Sequence, residues 1–305
     1  MSRITVRILG EGAEQSKVAP QANHEVRSRR RIVTRFALNR GALCGTVILA
    51  LLILAAGLAP FLTPYRYDRI APLDVFGPPS WTHLCGTDQF GRDVMTRILY
   101  GGRISLMVGL VATGVGAGLG IPIGLIAGAI GGWVDDILMR VLDILLAFPG
   151  LLLAIGIVAM LGTGLTNLMI AVGISSMPGF ARVVRGSVLT ARENEYVVAA
   201  RAIGCTTLGL MRRHILPNVM APIIVLASLN VANAILAGAT LSFLGMGAKP
   251  PSPEWGIMLA DGRDNLTRAW WTSVFPGLAI MMTTMSINFI GDGLRQSLDP
   301  RMTVH

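Results

Sequence analysis

The sequence has few charged residues and almost no lysine. Charged residues account for 14% of its 305 positions and hydrophobic residues for 52%, with a mean hydropathy of +0.61. A soluble domain of this length could not cover so much apolar surface, so the composition indicates an integral membrane protein. The two lysines, Lys17 and Lys249, follow Ser16 and Ala248 instead of the glycine of a nucleotide-binding phosphate loop. We therefore expect that this chain alone does not hydrolyse ATP.

Cysteine and histidine are scarce and scattered. The three cysteines lie in one apolar segment and in two separate loops, at positions 44, 85 and 205, so no intrachain disulfide is expected. The four histidines, at positions 24, 83, 214 and 305, show no metal-ligand spacing. No Ser/His/Asp, Cys/His or paired-carboxylate arrangement is recognisable. We expect no catalytic residue, no metal site and no cofactor bound by this chain.

Long apolar segments are the main feature of the sequence. A helix needs about 20 residues to cross a hydrocarbon core of roughly 30 Å, and six stretches are long enough. They are 41–62, 104–130, 137–161, 165–187, 218–246 and 272–291. Only the third and fourth contain charged residues, which are Arg140, Asp143, Arg182 and Arg185. The sequence therefore predicts an all-α integral membrane protein with six transmembrane helices.

The net charge of +9 comes from arginines concentrated in two regions. Residues 27–40 hold six arginines and residues 182–213 hold another six. Positive residues favour the cytoplasmic side, so both regions and both termini are predicted to be cytoplasmic, with the basic tail against anionic lipid. This topology explains the charge, and binding of nucleic acid is not expected. The predicted divisions are a basic tail (1–40), the first span with an extracytoplasmic loop (41–103), a five-helix core (104–296) and a C-terminal tail (297–305).

Small residues recur every four positions in the second span. Gly116, Gly120, Gly124 and Gly128 lie along one helical face. Glycines at this spacing allow two helix backbones to approach closely in a membrane. We expect an internal packing seam, with a subunit interface as the alternative.

Polar residues in two spans are candidates for lining a passage. Ser228, Asn230 and Asn233 lie in SLNVANAI, and the two asparagines are three positions apart and so face the same way. Asn288 in the last span could join them. Such side chains either line a passage or connect helices by hydrogen bonds, and the sequence leaves both interpretations open.

The segment 190–217 looks soluble although apolar spans flank it. Thr190 and Glu193 fit a capping box, which predicts a helix beginning near Ala191, and Gly204 is a natural left-handed stop. A second helix is predicted to begin at Thr206 or Thr207 and to end before Pro217.

A helix-turn-helix loop of this kind can bind DNA, lie on a lipid surface or dock on another protein. Membrane tethers at both ends hinder entry into a DNA groove, and Glu193 and Glu195 make a poor lipid-facing stripe. A helix that docks on another protein explains more, because Ala199 and Ala200 permit close approach while the flanking charges fix orientation.

The run VAARAIG, followed after nine residues by HILPN, resembles the EAA motif of binding-protein-dependent ABC importer permeases. Positions 199, 200, 204, 216 and 217 match its spacing, and Val198 stands where the motif has glutamate. The stretches GTDQFGRDV, LLAFPGLLLAI, FARVVRGSVL, LSFLGMGAKPPSPEWGIML and GDGLRQSLDP are similar to the dipeptide/oligopeptide/nickel permease group. Residues 145–217 are particularly similar to glutathione-import permeases.

This resemblance implies the ABC type I importer permease fold, with the loop 190–217 as a cytoplasmic coupling loop, in a bacterial inner membrane. The implied partners are a second homologous permease, two cytoplasmic ATPase subunits that hold ATP and Mg, and an extracytoplasmic solute-binding protein. Segments 63–103 and 248–271 would meet that binding protein. The ATPase-coupling candidates are Glu195, Tyr196, Ala199, Ala200, Arg201, Gly204 and Pro217.

The function implied is import of peptides, either dipeptides, oligopeptides or glutathione, through a pathway of which this chain forms half. The alternative is an ATP-independent secondary transporter or channel. That class ordinarily shows internal repeats and ionisable residues deep in the membrane, and neither is evident.

Overall fold

The computed structural model describes residues 34–298, except for the side chains of Arg201, Leu208 and His214. Most of the predicted basic tail and C-terminal tail, and the Arg201 side chain, lie outside the described residues. The helices are α1 (Arg40–Gly57), α2 (Ala59–Leu62), α3 (Val94–Ile130), α4 (Gly132–Leu146), α5 (Gly150–Leu161), α6 (Leu165–Arg192), α7 (Glu195–Ala202), α8 (Thr207–Leu210), α9 (Leu216–Phe243), α10 (Trp255–Arg263) and α11 (Trp271–Leu298). A short helical segment at 34–38 precedes α1, and no strand occurs within 34–298.

Five of these helices, α1, α3, α6, α9 and α11, are long and apolar enough to cross a membrane. The prediction of an all-α membrane protein is confirmed. The predicted span 137–161 is not a single helix, so that prediction is wrong in this respect. Helices α4 and α5 meet at an angle of 89°, and they make a sixth crossing only if the bent pair counts as one span. Pro149 causes the break, since its extended ψ of 131° and missing N–H end the first helix and begin the second.

The glycine seam of α3 packs against α6 of the same chain. A methyl group added at Gly124 would collide with the carbonyl oxygen of Ala181, and one at Gly128 would lie 2.8 Å from Cβ of Val188. These contacts leave no room for a side chain, so the two backbones approach as closely as glycine permits. The expected internal packing seam is confirmed.

The helix α11 packs against both α1 and α9. Asn39 caps α1 by accepting the N–H of Ala42, and its side-chain amide donates to Oε1 of Gln296 at 2.8 Å. Gly45 is close to the carbonyl oxygen of Ser286. These contacts attach the first span to the last one.

Candidate functional site

The first helix of the inner loop begins at Glu195, four residues after the start near Ala191 that the capping box predicts. The helix α6 continues to Arg192, and the Thr190 hydroxyl donates to the carbonyl of Gly186 within it, so the predicted helix start near Ala191 is wrong. The next helix, α7, begins at Glu195, and the N–H groups of the following turn donate to the carbonyl of Asn194. Helix α6 packs in the interior of the chain, and this packing extends the helix beyond Thr190 despite the capping box.

Gly204 ends α7 as predicted. Its φ of +88° lies in the left-handed region that favours glycine. The N–H of Cys205 donates to the carbonyl of Ala200 at 3.1 Å, which is the hydrogen bond of a Schellman cap. The turn therefore has a defined geometry.

The second arm of the loop does not end before Pro217, so that prediction is wrong. Helix α8 begins at Thr207, as expected, and continues through the π-helix Met211–Ile215 directly into α9. The N–H of Leu216 donates to the carbonyl of Met211, five residues back. Pro217 occupies the first turn of α9, where a missing N–H is tolerated, and the π turn changes the hydrogen-bond register just before it.

One face of α7 packs against its own chain. Val197 is 0% exposed and Ala200 is 7% exposed. They share a cluster with Val184, Val188, Ala191, Leu210, Ile215, Val219 and Ile223 from α6, α8, the π-helix and α9. Of the two alanines expected to permit approach of a partner, only Ala199 is exposed.

Apart from Arg201, whose side chain lies outside the described residues, the remaining coupling candidates are exposed. Glu195, Ala199, Gly204 and Pro217 are exposed. Tyr196 is 43% exposed, and its hydroxyl accepts a hydrogen bond from Nδ2 of Asn218 at 2.9 Å, which connects α7 to α9.

Two arginines of α6 form ion pairs with α4 just before the loop. Arg185 makes two hydrogen bonds of 2.5 Å to Asp135, and Arg182 pairs with Asp143. Nearer to the loop, Nη1 of Arg192 donates to the carbonyl of Gly128 at 2.7 Å. Sequence reasoning did not pair these residues, although Asp143 and the two arginines lie in adjacent predicted spans and Asp135 lies just before the first of these spans.

The four polar pathway candidates do not form one cluster. Asn230 is half-buried and donates to Oγ1 of Thr113 on α3 at 3.2 Å, which is the helix-connecting role. The Ser228 hydroxyl donates to the carbonyl of Val225 in its own helix. Asn233 and Asn288 are exposed, so the two asparagines of α9 have different surroundings.

Asn233 and Asn288 lie at a similar depth on two packed helices. Their neighbours along the chain, Ala232 of α9 and Ile287 of α11, belong to one buried cluster. Further toward the outer ends of α9 and α11, a groove of about 490 Å³ is lined mainly by apolar residues, among them Leu236 and Met281. Among the four pathway candidates, only Asn233 and Asn288 are exposed.

Sequence reasoning missed an ionic network in the segments predicted to be extracytoplasmic, which are called the outer region below. Asp88 accepts from Nε of Arg92 at 2.6 Å and lies 3.6 Å from Nε of Arg97, while Asp261 lies 3.5 Å from Nη2 of Arg92. Arg97 is 1% exposed and donates to the carbonyls of Tyr67, Pro251 and Ser252. The run GTDQFGRDV was the signal, and its charges connect the two predicted outer segments into one unit.

Burial also affects acids of the outer region. Glu254 accepts the N–H of Ile257 at the start of α10, and burial raises the pKa of its carboxyl although that hydrogen bond opposes the shift. Burial likewise raises the pKa of Asp261 against the opposing effect of Arg92.

Comparison with known proteins gives consistent matches. Residues 120–304 match the family of binding-protein-dependent transport system inner membrane components, and residues 29–79 match the N-terminal TM domain of oligopeptide transport permease C. The chain is 48% identical over 264 residues to the dipeptide transport system permease protein DppC of Alkalihalophilus pseudofirmus, with 87% of each chain covered. It is 43% identical over 269 residues to the glutathione transport system permease protein GsiD of Escherichia coli, with 88% of this chain and 89% of that protein covered.

A second peptide permease and one solved structure extend these matches. The di/tripeptide transport system permease protein DppC of Pseudomonas aeruginosa is 45% identical over 273 residues, with 88% of this chain and 90% of that protein covered. A chain of the inward-facing MetNI methionine ABC transporter superposes with a TM-score of 0.56 at 16% identity, covering 68% of this chain and 98% of that one. The importer-permease fold expected from the sequence is thus confirmed.

Proposed function

Because the chain belongs to the family of binding-protein-dependent transport system inner membrane components, we propose that it is the permease subunit of an ATP-driven importer of peptides. The substrate class rests on its relatives, which are named as permeases for dipeptides, for di- and tripeptides and for glutathione. In this proposal the chain spans a bacterial cytoplasmic membrane with both termini inside and forms half of the pathway, beside a second homologous permease.

One observation supports coupling through the inner loop. Helix α6 runs from the membrane core to Arg192, and only two residues separate it from α7. The glycine seam and the Arg192 to Gly128 hydrogen bond attach α6 to α3. A displacement of α7 therefore moves two spans together.

Two cytoplasmic ATPase subunits would supply that displacement. ATP and its Mg²⁺ would be held by those subunits, and closure of the ATPase pair would bias the permeases between inward-open and outward-open states. Coupling is then a free-energy link between nucleotide and gate. Glu195, Tyr196, Ala199 and Gly204 are the proposed contact region.

On the outer side, the proposed partner is a solute-binding protein. The Arg97 network supports this, because it holds residues 63–93 and the segment around Pro251 as one continuous surface. Asn233 and Asn288 are the proposed pathway residues, since both are exposed on packed helices.

The test is reconstitution of the complete complex in proteoliposomes. Uptake of a labelled dipeptide, tripeptide and glutathione is measured with the purified binding protein outside and ATP or a non-hydrolysable analogue inside. We expect uptake only with ATP and only of ligands that the binding protein retains. Uptake that needs no ATP would instead support a secondary transporter or channel.

A further inference from the structure

The outer region contains a polar cleft that the proposed function does not use. Its volume is about 320 Å³, at the lower end of the roughly 300–1,000 Å³ that is typical of pockets for small molecules. The cleft lies between residues 65–74 and residues 82–93, and its lining includes Tyr65, Arg66, Arg69, Asp74, His83 and Gly91. A concave site of this size fits a small molecule better than the surface of another protein.

One wall of the cleft is fixed by contacts between side chains. The ring centroids of Tyr65 and His83 lie 4.9 Å apart, and the Tyr65 hydroxyl donates to the carbonyl of Thr82 at 3.1 Å. Nδ1 of His83 lies 2.9 Å from Oδ1 of Asp93, whose other carboxylate oxygen accepts the N–H of Thr96 at the start of α3. The wall is therefore attached to a membrane-spanning helix.

The floor of the cleft consists of two closely packed stretches of backbone. The N–H of Ala71 donates to the carbonyl of Phe90 at 3.0 Å. A methyl group added at Gly91, whose φ is +71°, would collide with the carbonyl oxygen of Ala71. Because the wall and the floor are fixed before a ligand arrives, binding costs little free energy for ordering the site.

Two opposite charges line the cleft without contacting each other. Arg69 and Asp74 are exposed, and neither charged group has a hydrogen-bond or ion-pair partner in the part of the chain that the structure describes. The backbone N–H of Arg69 donates to the carbonyl of Arg66, and this turn brings two arginines together at the cleft. Arg66 uses its Nε and Nη2 to pair with Asp68, which leaves Arg69 as the arginine without a partner.

These free groups match a ligand that carries both charges. A guanidinium binds a carboxylate through paired N–H donors, and a carboxylate accepts hydrogen bonds from an ammonium group. The carboxylate of Asp93 is already bonded to His83 and Thr96, so Asp74 is the acceptor that remains for a ligand. A short peptide with free termini carries an ammonium group at one end and a carboxylate at the other.

We propose that this cleft is a ligand site separate from the passage, in which Arg69 binds the C-terminal carboxylate of a short peptide and Asp74 binds its N-terminal ammonium group. Arg66 lies beside Arg69 and adds positive charge at the carboxylate end. The choice of a peptide as the ligand rests on the proposed function, whereas the zwitterionic chemistry rests on the residues of the cleft. The volume of the cleft favours a dipeptide or tripeptide over a longer chain.

Binding of blocked peptides tests the two charges. The probe is tritiated alanyl-alanine, and its equilibrium binding is measured on the full-length permease, purified in detergent without a solute-binding protein. Its C-terminal amide and its N-acetyl derivative each lack one charge. We expect each of them to bind about tenfold more weakly, as for the loss of one hydrogen bond between charged groups.

Substitutions show which residue binds which end of the peptide. Arg69→Gln is expected to weaken dipeptide binding about tenfold and to remove the difference between the dipeptide and its amide, while the preference over the acetylated form remains. Asp74→Asn is expected to remove the preference over the acetylated form alone. A change in folding would instead weaken the binding of all three ligands equally.

The matched controls are Arg263→Gln and Asp264→Asn. They remove an exposed arginine and an exposed aspartate of the outer region that do not line the cleft, and binding is expected to stay within about twofold of the wild type. Equal binding of the three ligands to the wild type, or equal effects of the cleft variants and the control variants, would overturn the proposal.

A photo-crosslinking amino acid at position 69 in the complete complex distinguishes a peptide site from a protein contact. Adducts with the solute-binding protein, together with no binding of the free dipeptide, would show that the cleft is a protein contact and that the proposal is wrong. The proposed function is tested separately by uptake. ATP-dependent uptake without dipeptide binding at the cleft refutes the site alone, and binding without ATP-dependent uptake refutes the proposed function alone.

Discussion

The two regions that lie outside the membrane core are held to the protein by different forces. In the outer region, residues 63–93 and α10 are connected through the buried charges of Asp88, Arg92 and Arg97 and the partly exposed carboxylate of Asp261. At the predicted cytoplasmic loop, α7 is held by an apolar cluster that includes Val197 and Ala200, while residues 195, 196, 198, 199 and 202 are exposed. The outer region is therefore fixed by charges that cross between segments, whereas α7 is attached along one apolar face only.

Removing the Arg97 guanidinium should disrupt the ionic network of the outer region. We expect this change to cause the largest loss of stability among these predictions. Arg97→Leu leaves Asp88 with one fewer cation and three carbonyls without a donor, and loss of one partner from a buried charge network costs about 3–5 kcal/mol. We expect a clear fall in the unfolding temperature of the detergent-purified permease. The control is Arg69→Leu, which removes an exposed arginine of the same segment. Equal shifts of the unfolding temperature for both variants would contradict a structural role of the ionic network.

A charge inside the apolar cluster should detach the inner loop. Val197→Asp buries a carboxylate without a partner, at a cost of roughly 2–4 kcal/mol that is limited by local opening. Faster proteolysis near Gly204 in the isolated permease is the expected result. The neighbouring Val198→Asp places the same charge on the exposed side and should leave the cleavage rate unchanged, and similar rates would argue against the assigned orientation of α7.

The outer region should also respond to pH through Glu254. Its folded-state pKa is raised above the ordinary value of 4.5, so the folded protein binds this proton more tightly than the unfolded chain does. Its contribution is most favourable at low pH and decreases as pH rises above about 4.5, by at most about 1.4 kcal/mol per pH unit. The stability difference between Glu254→Gln and the wild type should therefore change with pH, and a constant difference would exclude the linkage.

The smallest effect is expected at the inner hydrogen bond between Tyr196 and Asn218. Tyr196→Phe removes the hydroxyl that accepts this bond, and a half-exposed hydrogen bond contributes roughly 0.5–1 kcal/mol. Amide hydrogen exchange should become slightly faster in α7 alone. Faster exchange in α6 or α9 would show that the bond stabilises more than the loop.

Predictions that depend on a few neighbouring residues alone were correct. The glycine repeat predicted a seam because close helix approach depends on residue size alone, and Gly204 predicted a stop because its conformation is strained for other residues. The capping box at Thr190 failed because α6 packs against α3 beyond that point. The stop before Pro217 failed because a π turn accommodated the proline.

The sequence by itself determined the membrane class, the helical fold, the approximate spans and the position of the inner loop, since hydropathy, length and turn chemistry act over short segments. Only the tertiary structure decided that Ala200 faces the chain while Ala202 faces outward, that Asn230 connects helices while Asn233 is exposed, and that Arg97 reaches Pro251. Each of these depends on how helices distant in sequence lie against one another, and no local pattern specifies that arrangement.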